Sequence, residues 1–349
     1  MQVLFLTLYP DIVASPRYRV AQFLPYLRER GVECTVASAL TERQYAQLTG
    51  PDRQGRPLWY HLAETSRRLA QIAGAAAYDI VFVQKALMTA SVRGAFGLLR
   101  RRARRIVYDL DDAVHLSPPH PLRRLGRLIE ARRQIPKAMR AADMVLAGNA
   151  WLAAQAEALG ARAAYFPTVV DMRRFAPRPQ VAEKYRIGWI GTPAATECIE
   201  PAAEALAGLA NAEIHLVGAD AKAVCWFGAV VEPWSLDGEV EAIQQFSAGI
   251  MPMPKQEWMK GKCGLKGLLY MACGIPCIAT PFGAALEFIR HGENGMFADT
   301  TAEWRDAFER LRDPTERRRL GAAARTTVEE NYALDKAAPR LLELMESVL

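Results

Sequence analysis

Short, continuous apolar runs alternate with helical periodicity along the first half of the chain. Val3 to Leu8, Val32 to Ala39, Tyr78 to Gln84, Ile106 to Leu110, Met144 to Ala147 and Ala163 to Phe166 read as strands, with helices starting near Arg17, Ala86 and Asn149. Strands that are apolar on both faces and alternate with helices predict a parallel, doubly wound sheet. Pro167 to Asp171, followed by Phe175, Pro177 and Pro179, is turn-rich and reads as a connection between domains. A second series then begins at Tyr185 to Gly191 and continues with strands at Ile214 to Val217, Ala229 to Glu232, Gly249 to Met253 and Ile275 to Ala279. Beyond about residue 301 the pattern is helical. The expected organisation is therefore two α/β domains, 1–168 and 185–330, with 169–184 between them and a final amphipathic helix over 331–349.

Length agrees with that division, because 349 residues exceed one ordinary core. Hydrophobic content of 51% with 23% charged residues is globular usage and argues against disorder. The six cysteines form no C-x-x-C pair, and most lie in apolar patterns, as reduced buried thiols do. Cys273 and Cys277 bracket a Gly-Ile-Pro turn at a spacing that suits packing better than a metal. The apolar start, MQVLFLTLYPD, lacks a basic n-region and reads as a first strand. No run approaches the roughly 20 apolar residues that span a bilayer, so a cytoplasmic protein is expected, at most peripheral to the inner face of a membrane.

The net charge of +6 is unevenly spread. Arg100, Arg101, Arg102, Arg104 and Arg105 close one helix, and Arg123, Arg124, Arg127, Arg132 and Arg133 ride on the next with leucines at helical spacing. Two readings stand side by side: a solvated helical face, and a surface for anionic lipid headgroups. Nucleic acid fits less well, since these segments carry few aromatics for stacking and no recognised motif.

Residues 261–298 carry the most chemistry. They read as a glycine-started helix from Gly264 to Cys273, a tight Gly-Ile-Pro turn, a buried strand, then Pro281-Phe282-Gly283 and a helix with Glu287 ending at His291-Gly292. A helix N-terminus offers unpaired N–H groups to an anion, and Lys262 and Lys266 flank this one, so the segment predicts a seat for a diphosphate. Together with Met271 to Pro276 and Asn294-Gly295, the order of these elements resembles the donor half of bacterial family 4 glycosyltransferases of the GT-B fold.

That resemblance implies two Rossmann-like domains facing across a cleft, an acceptor domain first and a nucleotide-sugar domain second, with the final helix crossing back to the first. It implies transfer of a sugar from a nucleoside diphosphate sugar to an acceptor hydroxyl with retention at the anomeric carbon. A role in surface polysaccharide or glycoconjugate assembly follows, with no cofactor beyond the co-substrate and no metal. Gly191, Thr192, Lys262, Gly264, Lys266 and Glu287 would hold the donor, Glu232-Pro233-Trp234 would lie near the nucleobase, and a glycan, lipid-linked or small-molecule acceptor is the expected partner. The sequence also departs from the family. Many members carry two glutamates separated by seven intervening residues, one for the donor sugar and one for the ribose, and here those positions are Gly261 and Leu269. Losing a charged acceptor for ribose hydroxyls removes roughly 1.5 to 3 kcal/mol of hydrogen bonding. A non-catalytic GT-B protein that binds a glycan or a partner enzyme is therefore the alternative.

In the first domain, Asp109, Asp111 and Asp112 end a strand where many relatives have a His-Asp pair, with His115 and His120 behind. One of the three aspartates is expected to orient or deprotonate the acceptor hydroxyl. A magnesium site and a turn with a helix cap are the competing readings. Arg17 and Arg19, at a helix start where cations are unfavourable, are expected to meet a phosphate of donor or acceptor, with His115 nearby. No G-x-G-x-x-G follows any predicted strand, which opposes a nicotinamide enzyme.

Overall fold

The computed structural model describes residues 1–49, 58–89, 94–116, 134–178, 184–224 and 228–349. The chain divides into two compact units, Met1–Thr168 with Ala337–Leu349, and Val169–Lys336.

Unit 1 is built on six parallel strands, β1 (Gln2–Thr7), β2 (Glu33–Ser38), β3 (Ile80–Gln84), β4 (Arg105–Leu110), β5 (Met144–Ala147) and β6 (Ala163–Tyr165), in the order β2-β1-β3-β4-β5-β6. β1, β3, β4 and β5 are buried along almost their whole length, which is why their sequences run apolar without alternation. β2 lies at the sheet edge, and Val36 is correspondingly 45% exposed. The chain runs outward from β1 to β2 and then returns to the other side of β1 at β3, so the strand order reverses between β1 and β3. In open α/β sheets ligands bind outside the carboxyl ends of the strands at such a reversal.

Unit 2 repeats the plan with β7 (Arg186–Ile190), β8 (Glu213–Val217), β9 (Val230–Glu232), β10 (Ala248–Met251), β11 (Cys277–Ala279) and β12 (Gly295–Phe297), in the order β12-β11-β10-β7-β8-β9. Its reversal falls between β7 and β10. Trp189, Trp304, Phe308 and Ile250 are central to a core in which all four are completely buried. Two glycines at the ends of β7 and β8 let the backbones meet there. A side chain on Gly218, whose φ is +75°, would start 2.3 Å from the carbonyl oxygen of Gly191.

Several elements differ from the sequence expectation. The helix expected near Ala86 begins later, as Ala95–Arg102. Lys85 adopts a left-handed conformation with φ 67°, which turns the chain out of β3, and the backbone N–H and hydroxyl of Thr89 bind the buried Glu64 carboxylate at 2.5 Å each. A long amphipathic helix, Leu58–Ala73, was not marked by any start signal. The final helix is Leu334–Glu346, preceded by a separate helix, Pro314–Asn331. Its last turns belong to unit 1, where Leu341 and Met345 are buried and Arg105 donates to the carbonyl of Val348. Asn149 does start a helix, Ala150–Ala158, accepting a cap hydrogen bond from Leu152 N–H at 2.8 Å. No helix among the described residues is long and apolar enough to cross a membrane.

Candidate functional site

In unit 1 the polar chemistry collects at the carboxyl ends of β3 and β4. Asp109 pairs with Gln84 in the sheet register, and the chain after it delivers Asp111 and Asp112 to the strand ends. Asp109 and Arg19 are 0% and 1% exposed, and the guanidinium grips both carboxylate oxygens. Arg19 further donates to the Phe166 carbonyl at 2.8 Å and lies over the Phe166 ring. Burial pushes the Asp109 carboxyl up to about 6 against the opposing pull of Arg19, so it stays ionised at neutral pH. The expectation for these two residues is therefore corrected. A fully enclosed pair reaches no acceptor and no phosphate, and it instead ties the end of the Ala14–Arg19 helix to β4, Arg17 and Arg19 lying in the last turn of that helix rather than at its start.

Asp111 and Asp112 lie in a different environment, only partly buried. Asp111 accepts from the Ser15 hydroxyl and from Gln84 Nε2, the latter at 3.4 Å, while Asp112 pairs with Lys85 Nζ at 3.3 Å. Gln84 Nε2 also reaches Ser15 Oγ at 2.6 Å, closing a small network. Burial works against the charge on Lys85, but Asp111 and Asp112 outweigh it and hold the ammonium above its ordinary value. Lys85, Gln84 and Ser15 were not identified from sequence. The available signal was a Gln-Lys pair directly behind the apolar run of β3. His115 lies half-buried in a short 3₁₀ turn after the aspartates, and Arg17, also half-buried, donates to the Ile12 carbonyl at 3.1 Å.

The first arginine cluster is partly structural. Arg100 pairs with Asp143 at 2.5 Å and Arg104 with Asp79 at 3.1 Å, while Arg105 holds the C-terminal residues. The second cluster, with Arg123, Arg124 and Arg127, lies outside the described residues, as does His120. Among the described residues no three His, Cys, Asp or Glu side chains are gathered as a metal site requires.

In unit 2 the donor-segment residues assemble around the carboxyl ends of β7 and β10. Gly264 caps the Leu265–Ala272 helix with φ 68°, and a side chain there would start 2.6 Å from the Phe288 ring, so both conformation and space require glycine. Lys266, in the first turn of that helix, places Nζ 3.8 Å from the centroid of the Trp189 ring. Lys262, just before the helix, lies over Trp258 at 5.2 Å, and Trp258 donates to Gln256 Oε1 at 2.7 Å. Gly191 follows β7, where a Cβ would lie 2.8 Å from Lys266 Nζ. Thr192 is exposed, its carbonyl accepting from Ala195 N–H and its hydroxyl making no cap bond. Behind it opens a cavity of about 550 Å³, lined among others by Pro193, Thr196, Glu197, Asp220, Pro254 and Gln256. That volume is in the range of small-molecule sites. Glu287 lies exposed on the short Ala285–Phe288 helix, and Trp234 packs beside Gly218 at the end of β8.

Residues 184–313 match the family model for glycosyl transferases group 1. N-acetyl-α-D-glucosaminyl L-malate synthase of Bacillus anthracis is 36% identical over 93 residues, 26% of this chain and 24% of that protein. The aligned stretch is thus about a quarter of the relative's length. Among solved structures, Anabaena HepE in complex with UDP and glucose aligns at 14% identity with a TM-score of 0.73, covering 99% of this chain and 100% of that one. Sucrose-phosphate synthase from Thermosynechococcus elongatus aligns at 14% identity with a TM-score of 0.76, covering 99% and 98%. The chain has the GT-B fold, two six-stranded parallel sheets with flanking helices, and residues 184–313 form its glycosyl transferases group 1 domain.

Proposed function

We propose that the protein is a glycosyltransferase of the family 4 type, moving a sugar from a nucleoside diphosphate sugar to an acceptor hydroxyl in polysaccharide or glycoconjugate assembly. The observation that carries this reading is the pair of lysines at one helix start, with Lys266 Nζ against Trp189 and the side-chain-free Gly191 at the end of β7. No carboxylate pairs with Lys266 among the described residues, so its charge remains available to an anion. The diphosphate would lie against Lys262, Lys266 and the N–H groups that follow Gly264, with Gly191 leaving the backbone open to it. These groups stabilise the charge that develops on the leaving diphosphate, which is where such preorganised donors act most strongly. Thr192 and the exposed Glu287 are the remaining donor-side candidates.

On the acceptor side, Asp111 and Asp112 are the carboxylates that keep contact with the surface of unit 1. One of them orients the hydroxyl or accepts its proton, with Lys85, Gln84 and Ser15 holding the pair in place, and Arg17 and His115 flank them as phosphate or acceptor contacts. Transfer with retention and without a metal is part of the proposal, since leaving-group stabilisation is assigned to lysines and backbone. A panel of UDP-, GDP- and ADP-sugars assayed for release of nucleoside diphosphate tests it. One donor should be turned over, and turnover should survive EDTA. Loss with EDTA that magnesium or manganese restores would contradict the metal-free step, and binding without any turnover would favour the non-catalytic GT-B alternative.

A further inference from the structure

We infer that Trp189 is a positioning residue for the donor site, holding the Lys266 ammonium where a diphosphate meets it, an assignment that rests on the donor reading above. Trp189 is completely buried in the core of unit 2, yet its indole N–H has no hydrogen-bond partner among the described residues. An unpaired buried N–H is unfavourable, and a phenylalanine would occupy most of the same space without it. What the indole offers in exchange is the widest π face among the side chains, and tryptophan is the best partner for a cation. Lys266 Nζ lies over that face, 3.8 Å from the ring centroid.

The third member of the arrangement is Gly191. A Cβ there would come within 2.3 Å of the indole ring and 2.8 Å of Lys266 Nζ, so the missing side chain is what lets ring and ammonium meet. Indole, ammonium and the open backbone after β7 thus form one packed unit at the strand reversal. The groups that act on Lys266 are Cys198, from the 3₁₀ segment Pro193–Ala202, and Lys262, from the turn before the helix. Burial, reinforced by Lys262 and opposed by Cys198, brings the ammonium down to about 7. In the free protein the ammonium is therefore nearly fully charged at pH 6, half charged near pH 7 and largely neutral by pH 8. An arriving phosphate restores the proton, so diphosphate binding takes up a proton near neutrality and weakens at higher pH.

The test is calorimetric titration of the full chain with UDP, GDP and ADP, carrying forward the tightest, from pH 6 to 9. Wild type, Trp189→Leu, Trp189→Phe and Lys266→Ala are compared, with melting curves to confirm folding. Lys266→Ala reports the ligand's own ionisation. Trp189→Leu should bind about tenfold more weakly at pH 8 but only about twofold more weakly at pH 6, because losing a desolvated cation–π contact of about 1.4 kcal/mol lowers the pKa of the Lys266 ammonium by about 1. Its affinity should also fall off at lower pH than in wild type, because the ammonium has lost a stabilising face, and Trp189→Phe should recover most of both effects. If Trp189→Leu does not fold, the Trp189→Phe profile decides, a smaller shift to lower pH supporting the assignment and an unchanged profile overturning it. A folded Trp189→Leu that matches wild type at every pH, while Lys266→Ala binds weakly, overturns the inference and leaves the donor reading standing. Wild-type affinity in Lys266→Ala overturns both.

Discussion

Asp109→Ala should destabilise unit 1 by about 3 to 5 kcal/mol, because it leaves the Arg19 guanidinium charged, enclosed and without its carboxylate. Burial alone disfavours the charge, and the remaining contacts, the Phe166 carbonyl and ring, do not replace the lost ion pair. Urea denaturation read at 25 °C gives the number directly. Replacing both partners by apolar residues, as in Asp109→Leu with Arg19→Met, should restore much of the loss, since exchanging a whole buried ion pair for hydrophobic packing is often neutral. A stability within about 0.5 kcal/mol of wild type for Asp109→Ala would mean that the pair contributes little.

The second large effect concerns turnover rather than stability. Asn substitution at Asp111 or Asp112 should lower turnover at one of the two positions by about 10² to 10⁴, with donor affinity little changed. Such a loss is roughly 3 to 5 kcal/mol of transition-state stabilisation. The fold should hold, since each amide keeps an oxygen that accepts a hydrogen bond, with a lower melting temperature for Asp112→Asn, which removes the carboxylate paired with Lys85. If both variants turn over at the wild-type rate, the Ser15, Gln84 and Lys85 network is a structural tie at the strand ends, and the acceptor contact must lie with His115 or Glu287.

The strands that dominate each core were legible because burial on both faces writes an uninterrupted apolar run, as in Ile80–Gln84 and Met144–Ala147. β12 was missed: Gly295–Phe297 has only three residues, too few to show any period. The misplaced helix near Ala86 has a local cause, a lysine in a left-handed conformation, which favours glycine and leaves no mark in the sequence. The candidate donor segment stood out in the sequence because its helix start, lysines and turn are close together. In the first unit the three aspartates stood out as well, but not which of them the fold encloses. Arg19 and Asp109 are 90 residues apart and look like any exposed arginine and aspartate until the fold encloses them together. The same holds for Trp189 and Lys266, which belong to different elements and meet only because Gly191 leaves room.

Hydrogen exchange of the full chain, with and without a saturating nucleoside diphosphate chosen from UDP, GDP and ADP, tests the central claim most directly. The account predicts added protection in unit 2 at Gly191 to Thr196 and at Lys262 to Leu268, with the amides that follow Gly264 slowed most, because they donate to the phosphates. Protection confined to other segments, or none with all three nucleotides, would contradict it.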